Sequence, residues 1–375
     1  MNFAFSDDQN MLRDQAAKFL AARCPTRAVR KILEGEATWD KALWDGIVEL
    51  GWTGVAIPEV YGGLGLGHLE LCVLAEELGR VLAPVPFSSS VYLATEALLL
   101  AGSEAQKQAW LPKLAAGEVI GTFAVAEGAH QPTARSLAAK VENGRLDGVK
   151  LPVPDGLIAD FAVVMARTST DAGARSASLF IVDLNGPGVT REAVKTIDPT
   201  RNHATITFKG APAEALGGTG DGWALSEAVF DRAAVLLSFE QVGGAQTALD
   251  MAREYAMGRY AFGRPIATFQ AIKHKLADMF VALELGRSNA YYGAWALASG
   301  SADLPVAAAG ARIAASEAFY LAAKENIQTH GGNGYTWAYD CHLFYRRSKL
   351  LALTIGSAPH WKELLISRLE ARNAA

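Results

Sequence analysis

The sequence predicts an α+β fold in which helical segments at both ends enclose a β-rich middle part. In the first third of the chain, apolar residues recur at helical spacing, most clearly over 69–81 and 91–102. From about Gly121 the pattern changes to short runs of β-branched and aromatic residues separated by Gly, Pro, Asn and Asp. After Gly222 the helical spacing returns and persists. We therefore predict an amino-terminal α-helical domain over 1–120, a middle β domain over 121–218 and a carboxy-terminal helical bundle over 219–375.

Local signals predict the individual elements. Ser6 and Gln9 form a capping-box pattern, in which each side chain satisfies the other residue's backbone N–H, so a helix is expected over about 7–23. The glycine-rich stretch 61–67 lacks the lysine and the spacing of a phosphate-binding loop, and it is predicted to be a turn. We expect strands near 122–125, 161–166, 178–182 and 204–208, and later helices near 223–258, 265–297, 304–330, 337–353 and 357–372.

Composition excludes several classes of partner. The 375 residues are 50% hydrophobic and 20% charged, and the net charge of −4 gives no indication of the basic face that nucleic acids or anionic membranes select. No apolar run reaches membrane-spanning length, and residues 1–5 lack the charged and apolar regions of a signal peptide. We predict a cytoplasmic protein without a nucleic-acid partner or a membrane span.

Cysteine and histidine usage gives no metal signature. Cys24, Cys72 and Cys341 are far apart and odd in number, so the sequence predicts neither a disulfide framework nor a paired-cysteine metal site. The histidines show no compact ligand spacing with a supporting carboxylate. We therefore predict a reducing compartment and no bound metal.

A turn between two helical segments, residues 259–270, carries side chains suited to a nucleotide cofactor. Arg259 offers a planar fork of donors that matches a diphosphate. Phe262 offers a flat apolar face, and Gln270 offers an amide for polar edges. The stretch therefore predicts a cofactor-binding turn.

Together with a later segment, Gln328-Thr329-His330-Gly331-Gly332-Asn333-Gly334-Tyr335-Thr336-Trp337, this turn resembles the signatures of acyl-CoA dehydrogenases. The resemblance covers nearly the whole chain and includes Gly51-Trp52 and Pro58-Glu59-Val60-Tyr61-Gly62-Gly63. It implies a carboxy-terminal four-helix bundle behind the helical and β domains, an FAD cofactor, an acyl-CoA substrate, a flavoprotein electron acceptor and dimers or tetramers. The FAD-binding residues that it implies are Arg259, Phe262, Phe269, Gln270, Gln328, Gly331 and Gly332 at the ADP end, here called the ADP-end set, and Val125 and Glu127 near the flavin ring.

The segment expected near the flavin ring departs from the family pattern. Members usually carry Thr-Glu-Pro and Gly-Ser-Asp there, whereas this chain reads Phe123-Ala124-Val125-Ala126-Glu127-Gly128-Ala129-His130-Gln131. Val125 and Glu127 are the residues that clearly remain. A Trp-Ile-Thr segment that covers the ring in the family corresponds here to Pro152-Val153-Pro154. The ring contacts are therefore expected to differ.

Neither of the carboxylates that usually act as the catalytic base in the family is present in this chain. In the family a carboxylate removes the α-proton of the acyl-CoA, and the resemblance places Ile355 and Ala233 at the two positions where that carboxylate usually stands. Glu240 remains in the apolar run 233–244, about two helical turns beyond Ala233 and on nearly the same helix face. Two interpretations stay open: Glu240 is the catalytic base, or it is a structural carboxylate that pairs with an arginine or caps a helix.

The segment after the second signature indicates the acyl group. Tyr335-Thr336-Trp337, followed by Asp340 and His342, resembles relatives that act on bulky ring-bearing or steroid-derived CoA esters, although for Trp337 itself a place in the core is the favoured interpretation. The resemblance implies Phe230 and Asp231 as substrate-binding residues.

The expected function is FAD-dependent α,β-dehydrogenation of an acyl-CoA thioester with a bulky or branched acyl group. Two alternatives stay open: a catalytically silent subunit that completes the flavin site of a partner, and a flavin oxidase or monooxygenase on the same fold. Because the ADP-end set is retained while most of the ring residues are not, we expect an obligate oligomer. It is either a homo-oligomer with unusual ring pockets or a mixed assembly with a related subunit.

Overall fold

The computed structural model describes residues 5–130, 132–168, 173 and 175–374. Residues 1–4 and Gln131, which entered the sequence analysis, lie outside the described residues. Within the described part, helices precede a β sheet and helices follow it, so the predicted α+β class and the order of its parts are confirmed.

The amino-terminal part is helical, and its first helix begins as the sequence predicts. Ser6 Oγ accepts from the Gln9 N–H at 3.2 Å, and the Ser6 N–H donates to Gln9 Oε1 at 2.9 Å, which is the capping box. A π-helical segment over Ser88–Thr95 leads directly into the fifth helix. The helices are α1 (Asp7–Arg23), α2 (Thr26–Leu33), α3 (Lys41–Glu49), α4 (His68–Arg80), α5 (Glu96–Ala101) and α6 (Glu104–Ala115).

The middle part is a mixed sheet, whose eight strands lie within the described ranges. The strands are β1 (Gly121–Ala124), β2 (Lys140–Glu142), β3 (Arg145–Pro154), β4 (Phe161–Arg167), β5 (Ala177–Asp183), β6 (Val189–Ala193), β7 (His203–Pro212) and β8 (Glu214–Leu216). Their order is β6-β7-β3-β2-β4-β5-β8, and β1 pairs in parallel with β4. Six of the seven residues of β4 are buried, as expected for a strand inside the sheet.

The carboxy-terminal part returns to helices, with one small hairpin between them. Its elements are α7 (Gly222–Gly258), the hairpin strands β9 (Tyr260–Ala261) and β10 (Arg264–Pro265), α8 (Gln270–Ala298), α9 (Leu304–His330), α10 (Cys341–Leu351) and α11 (Ala358–Ala374). The helix α9 packs against α8, α10 and α11. The helix predicted from 265 begins at Gln270 instead, because the residues before it pair as a hairpin and then form a 3-10 turn over Ile266–Thr268.

Contacts within the chain group its residues into two compact units that cut across the three predicted domains. One unit comprises Met1–Lys31, His68–Ala83 and Ala234–Ala375, and the other comprises Ile32–Gly67 and Pro84–Ala233. The first is here called the helical unit and the second the sheet unit. The domain boundaries near 120 and 219 stay a prediction.

Inside the helical unit, α4 and α7 touch through their backbones. A Cβ added at Gly79 would clash with the carbonyl oxygen of Glu240, and one added at Gly243 would clash with that of Glu76. Glycine is thus required at both positions for this approach. The crossing places Glu240 in the interior of the helical unit.

Two searches of the described residues were negative. No helix there is both long enough and apolar enough to cross a membrane. No group of three His, Cys, Asp or Glu side chains comes together there in a way that could hold a metal ion.

Candidate active site

The hairpin between α7 and α8 displays half of the ADP-end set. Its two turn residues, Phe262 and Gly263, both have positive φ, at 54° and 78°, as tight two-residue hairpins require. The Phe262 side chain is 96% exposed, and Arg259 and Gln270 at the two ends of the segment are also exposed. The hairpin therefore presents an aromatic face, a guanidinium and an amide outward from the helical unit.

Phe269 lies beneath these exposed groups. Its side chain is half-buried, the guanidinium of Arg264 lies 4.3 Å from its ring centre, and the Phe262 ring meets it edge-on at 6.2 Å. These contacts support the hairpin. A direct contact between Phe269 and a cofactor stays a prediction.

The other half of the ADP-end set lies at the end of α9. Gln328 is exposed in the last turn, and Gly331 ends the helix with a φ of 60°. A Cβ added at Gly332 would meet no atom within 4 Å, and its φ is not in the left-handed region. The chain's own packing therefore does not require glycine at 332, and the open space there fits a bound group.

Tyr255 joins the two halves of the ADP-end set. It lies four residues before Arg259, its ring stacks on His330 at 4.0 Å, and its hydroxyl accepts from Asn333 Nδ2 at 3.1 Å. His330 Nδ1 contacts the Asn326 carbonyl at 2.9 Å, and burial lowers the pKa of this imidazole. The ends of α7 and α9 are thus held together by neutral contacts.

Val125 and Glu127, the two residues expected near the flavin ring, accept hydrogen bonds from the buried Lys150. Lys150 Nζ has no exposed surface and donates to Glu127 Oε1 at 2.7 Å and to the Val125 carbonyl at 3.1 Å. The Glu127 carboxylate also accepts the backbone N–H groups of Ala138 and Ala139, at 2.6 and 3.0 Å. Sequence reasoning missed Lys150, although a lone lysine in the run 148–154 was the available signal. Cofactor contacts by Val125 and Glu127 stay a prediction.

This buried lysine predicts a pH dependence of stability. Burial lowers the pKa of Lys150 from 10.5 to about 8, although Glu127 opposes the shift. Between these two pH values the unfolded chain binds more protons than the folded chain, so the contribution of Lys150 to the free energy of unfolding rises with pH. We expect the difference in this free energy between wild type and Lys150→Met to increase from pH 8 to pH 10 in denaturant titrations.

Lys140 provides the matched control for that experiment. It is an exposed lysine that also pairs with a glutamate, Glu142, at 3.0 Å. For Lys140→Met, the difference from wild type in the free energy of unfolding should stay constant over the same pH range. If this difference stays constant or falls with pH for Lys150→Met, then Lys150 is not buried as described.

The predicted substrate residues lie at the start of α7, in the sheet unit. Phe230 meets Phe123 of β1 edge-on at 5.5 Å, and Asp231 is buried. Arg232 pairs with the buried carboxylate of Glu96 at 3.5 Å. The structure thus brings Phe230 to the first strand, and a substrate role for Phe230 and Asp231 stays a prediction.

Glu240 is held in a buried ion pair. Its carboxylate lies 3.6 Å from Arg347 Nη1 of α10, and the two side chains are 2% and 1% exposed. Arg347 Nη2 also donates to the Leu82 carbonyl at 3.2 Å. This pairing is the structural alternative that the sequence left open, and a role for Glu240 as base stays a prediction.

A second buried arginine, Arg312, lies beside this pair and was not singled out from the sequence. Its Nη1 donates to Gln241 Oε1 at 2.6 Å, and its Nη2 donates to the carbonyls of Leu351 and Thr354. Burial lowers the pKa of this guanidinium to about 9, against the opposing field of Glu240. The guanidinium therefore remains charged near pH 7. No local pattern could indicate this arginine, because its acceptors lie 39–71 residues away along the chain.

Trp337 is not a core residue, since its side chain is 50% exposed. Its ring stacks on His342 at 4.7 Å, and the guanidinium groups of Arg30 and Arg346 lie 5.9 and 5.8 Å from its centre. Arg30 also pairs with Asp340 at 2.6 Å. The segment after the second signature therefore forms a cationic and aromatic surface.

Comparisons with known proteins show which family the chain resembles. The acyl-CoA dehydrogenase N-terminal domain model matches residues 6–118, and the acyl-CoA dehydrogenase C-terminal domain model matches residues 220–366. The chain is 32% identical to acyl-CoA dehydrogenase IpdE2 of Mycobacterium tuberculosis over 343 residues, which cover 91% of each chain. It is 31% identical to the mitochondrial isovaleryl-CoA dehydrogenase of Solanum tuberosum, over 94% of this chain and 88% of the relative.

Among solved structures, a variant of the Tcur3481-Tcur3483 steroid ACAD superposes with a TM-score of 0.88 and 29% identity. The match covers 98% of this chain and 99% of that one. The similarity therefore spans both units of this chain.

Proposed function

Because this chain belongs to the acyl-CoA dehydrogenase family, we propose that it takes part in FAD-dependent α,β-dehydrogenation of a bulky or branched acyl-CoA, as a subunit of a mixed oligomer. The observation that carries the proposal is the contrast between two groups of residues. The exposed residues of the ADP-end set face outward from the helical unit. In contrast, the Glu127 carboxylate of the ring segment already accepts hydrogen bonds from Lys150 and from two backbone N–H groups.

The ADP-end set suits one end of FAD. Arg259 would hold the diphosphate through parallel N–H bonds, and Phe262 would lie against a flat ring of the nucleotide. The open space at Gly332 leaves room for the cofactor, and Gln328 is exposed beside it. FAD, when bound, supplies the acceptor for the hydride, while the protein supplies position and a water-poor site.

A related subunit would supply what this chain lacks. Apolar side chains stand at 233 and 355, the two positions where the family usually carries its base, and Glu240 forms a buried ion pair with Arg347. The name of the similar steroid ACAD joins two designations, which supports an assembly of two different chains. In such an assembly this chain would hold the ADP end of an FAD whose ring and base belong to the partner.

The acyl group is the finer part of the proposal. The names of the relatives range from isovaleryl-CoA to a steroid, so they support an acyl-CoA substrate without fixing its size. The half-exposed Trp337 with its flanking arginines supports a bulky ester, with Phe230 and Asp231 as further candidate contacts. A flavoprotein electron acceptor and a cytoplasmic location complete the proposal.

Flavin content tests the mixed assembly. FAD per chain is to be measured in this protein purified alone and purified together with a co-expressed related subunit. We expect little FAD in the lone protein and one FAD for every two chains in the complex. Stoichiometric FAD in the lone protein, reducible by an acyl-CoA, would contradict the mixed assembly.

Two arginines near the end of α7 allow a matched control. Arg259→Met removes the proposed diphosphate contact and should lower the flavin retained by the complex. Arg253→Met removes an exposed arginine whose partner is Asp250 of the same helix, and it should leave the flavin content unchanged. Equal losses in both variants would exclude a specific role for Arg259.

A further inference from the structure

The segment that follows α9 contains three glycines within four residues. Gly331, Gly332 and Gly334 lie in a 3-10 turn over Gly331–Tyr335, and the first two belong to the ADP-end set. Glycine gives a chain more backbone freedom than any other residue, so this segment has many alternative conformations. Its geometry must therefore be fixed by contacts from outside the turn. Residues 331–340 are here called the signature loop.

Arg30 of α2 holds the far end of the signature loop. Its Nη2 donates to the Trp337 carbonyl at 2.7 Å, and its Nε donates to Asp340 Oδ1 at 2.6 Å. Hydrogen bonds from a guanidinium are shorter and stronger than those between neutral groups. An arginine from the amino-terminal part of the chain thus fixes the loop at two points three residues apart.

The near end of the signature loop is tied to α7. Asn333 Nδ2 donates to the hydroxyls of Tyr255 and Tyr339, at 3.1 and 3.3 Å, and these two rings meet edge-on at 6.3 Å. The Arg259 N–H donates to the Tyr255 carbonyl at 2.8 Å. A continuous series of contacts therefore joins the loop that Arg30 holds to the turn that carries Arg259.

We infer that Arg30 is a positioning residue for the ADP end of FAD, because it holds the signature loop against Tyr255 and so keeps Gly331 and Gly332 in a fixed relation to Arg259. This inference rests on the proposed function, and it adds a residue of α2 that lies outside the ADP-end set. With both halves of that set already in place, less ordering is required when the cofactor binds, and binding is favoured.

The contacts of Arg30 suit positioning better than stabilisation. The side chains of Arg30 and Asp340 are 18% and 28% exposed, and ion pairs that water reaches contribute little to the stability of a fold. The two acceptors are a carbonyl and a carboxylate on different residues, and each receives its own nitrogen of the planar guanidinium. The single ammonium of a lysine cannot reproduce this arrangement.

Amide hydrogen exchange tests whether Arg30 holds the loop, and it needs no cofactor. Arg30→Met should accelerate exchange of the amides of 331–340 by about tenfold or more, because the glycine-rich segment is then held at one end only. Arg27→Met removes an exposed arginine one turn earlier in α2 and should leave these rates unchanged. Unchanged rates in Arg30→Met, or acceleration spread evenly over the helical unit, would overturn the positioning role.

Flavin affinity tests the consequence for the cofactor. In the complex with the related subunit, Arg30→Met should raise the dissociation constant of FAD by about tenfold, while the denaturant midpoint of unfolding stays near that of the wild type. Arg30→Lys keeps the charge beside Asp340 without the second bond, and it should restore part of the lost affinity. An affinity loss that appears only together with a lower unfolding midpoint would overturn the inference.

A double-mutant cycle tests whether Arg30 acts through Tyr255. Tyr255→Phe keeps the ring and removes the hydroxyl that accepts from Asn333, so it should also weaken FAD binding. Because both changes release the same loop, Arg30→Met/Tyr255→Phe should bind FAD about as weakly as the weaker single variant. A loss equal to the product of the two single losses would overturn the coupling.

The wild-type complex separates this inference from the proposed function. If it retains FAD and Arg30→Met retains FAD with the same affinity, the role of Arg30 is wrong and the proposed function stands. If the wild-type complex binds no FAD, the proposed function and the role of Arg30 both fail.

Discussion

Glu240→Gln is expected to lower the free energy of unfolding by about 3–5 kcal/mol, because it leaves the Arg347 guanidinium buried without its counter-charge. Both side chains of this pair are almost completely excluded from solvent. Screening by water therefore cannot replace the lost interaction. Denaturant titration of the variant and the wild type measures the effect.

The double variant Glu240→Gln/Arg347→Met separates a structural carboxylate from a base. Replacing both members of a buried ion pair is often nearly neutral, so most of the lost stability should return. Glu284→Gln provides a control, since Glu284 pairs with Arg287 while remaining 46% exposed, and it should cost about 0–1 kcal/mol. A Glu240→Gln variant as stable as the control would contradict the buried pair.

Turnover of the double variant in the complex decides the chemical role. If Glu240 is structural, as its contacts favour, the restored protein should support turnover near the wild-type rate. If Glu240 is the base, turnover should remain about 10²–10⁴-fold lower although stability and flavin content have recovered. The double variant thus removes the ambiguity that a destabilised single variant would carry.

The second large effect concerns the flavin of the complex. Dehydrogenation moves two electrons from the acyl chain to FAD, so without an electron acceptor the flavin should lose its visible absorbance when an acyl-CoA binds. We expect this bleaching in the complex with the related subunit, and little or none in this chain alone, because in the proposed assembly the ring contacts and the base belong to the partner. The loss of flavin absorbance should therefore be nearly complete in the complex and nearly absent in the lone chain.

Much of the fold could be predicted because local sequence patterns indicate its helices and strands. The capping box at Ser6 and the return of helical spacing after Gly222 depend on residues a few positions apart, and the structure confirms the helices that they indicate. The turn at 259–270 was placed correctly as a break between helices. Its hairpin was not foreseen, because pairs of two residues are too short to show a strand period.

The interior contacts of the site could not be predicted because they join distant parts of the chain. Glu240 was identified as an unusual carboxylate in an apolar helix, but Arg347 lies 107 positions later, and no local signal connects the two. Glu127 was interpreted as a residue near the flavin ring, whereas its contacts with Lys150 depend on how β3 lies beside the segment after β1. The residue types were visible in the sequence, and their partners were set by tertiary packing.

The proposal that this chain takes part in acyl-CoA dehydrogenation within a mixed assembly can be tested by mixing the purified complex anaerobically with a steroid-derived CoA ester. The complex is prepared with one FAD for every two chains, its flavin absorbance is followed over time, and the lone chain is the control. We expect rapid bleaching in the complex and formation of the 2-enoyl-CoA. A flavin that no acyl-CoA bleaches would contradict the dehydrogenase assignment, and turnover that requires oxygen would identify an oxidase or monooxygenase instead.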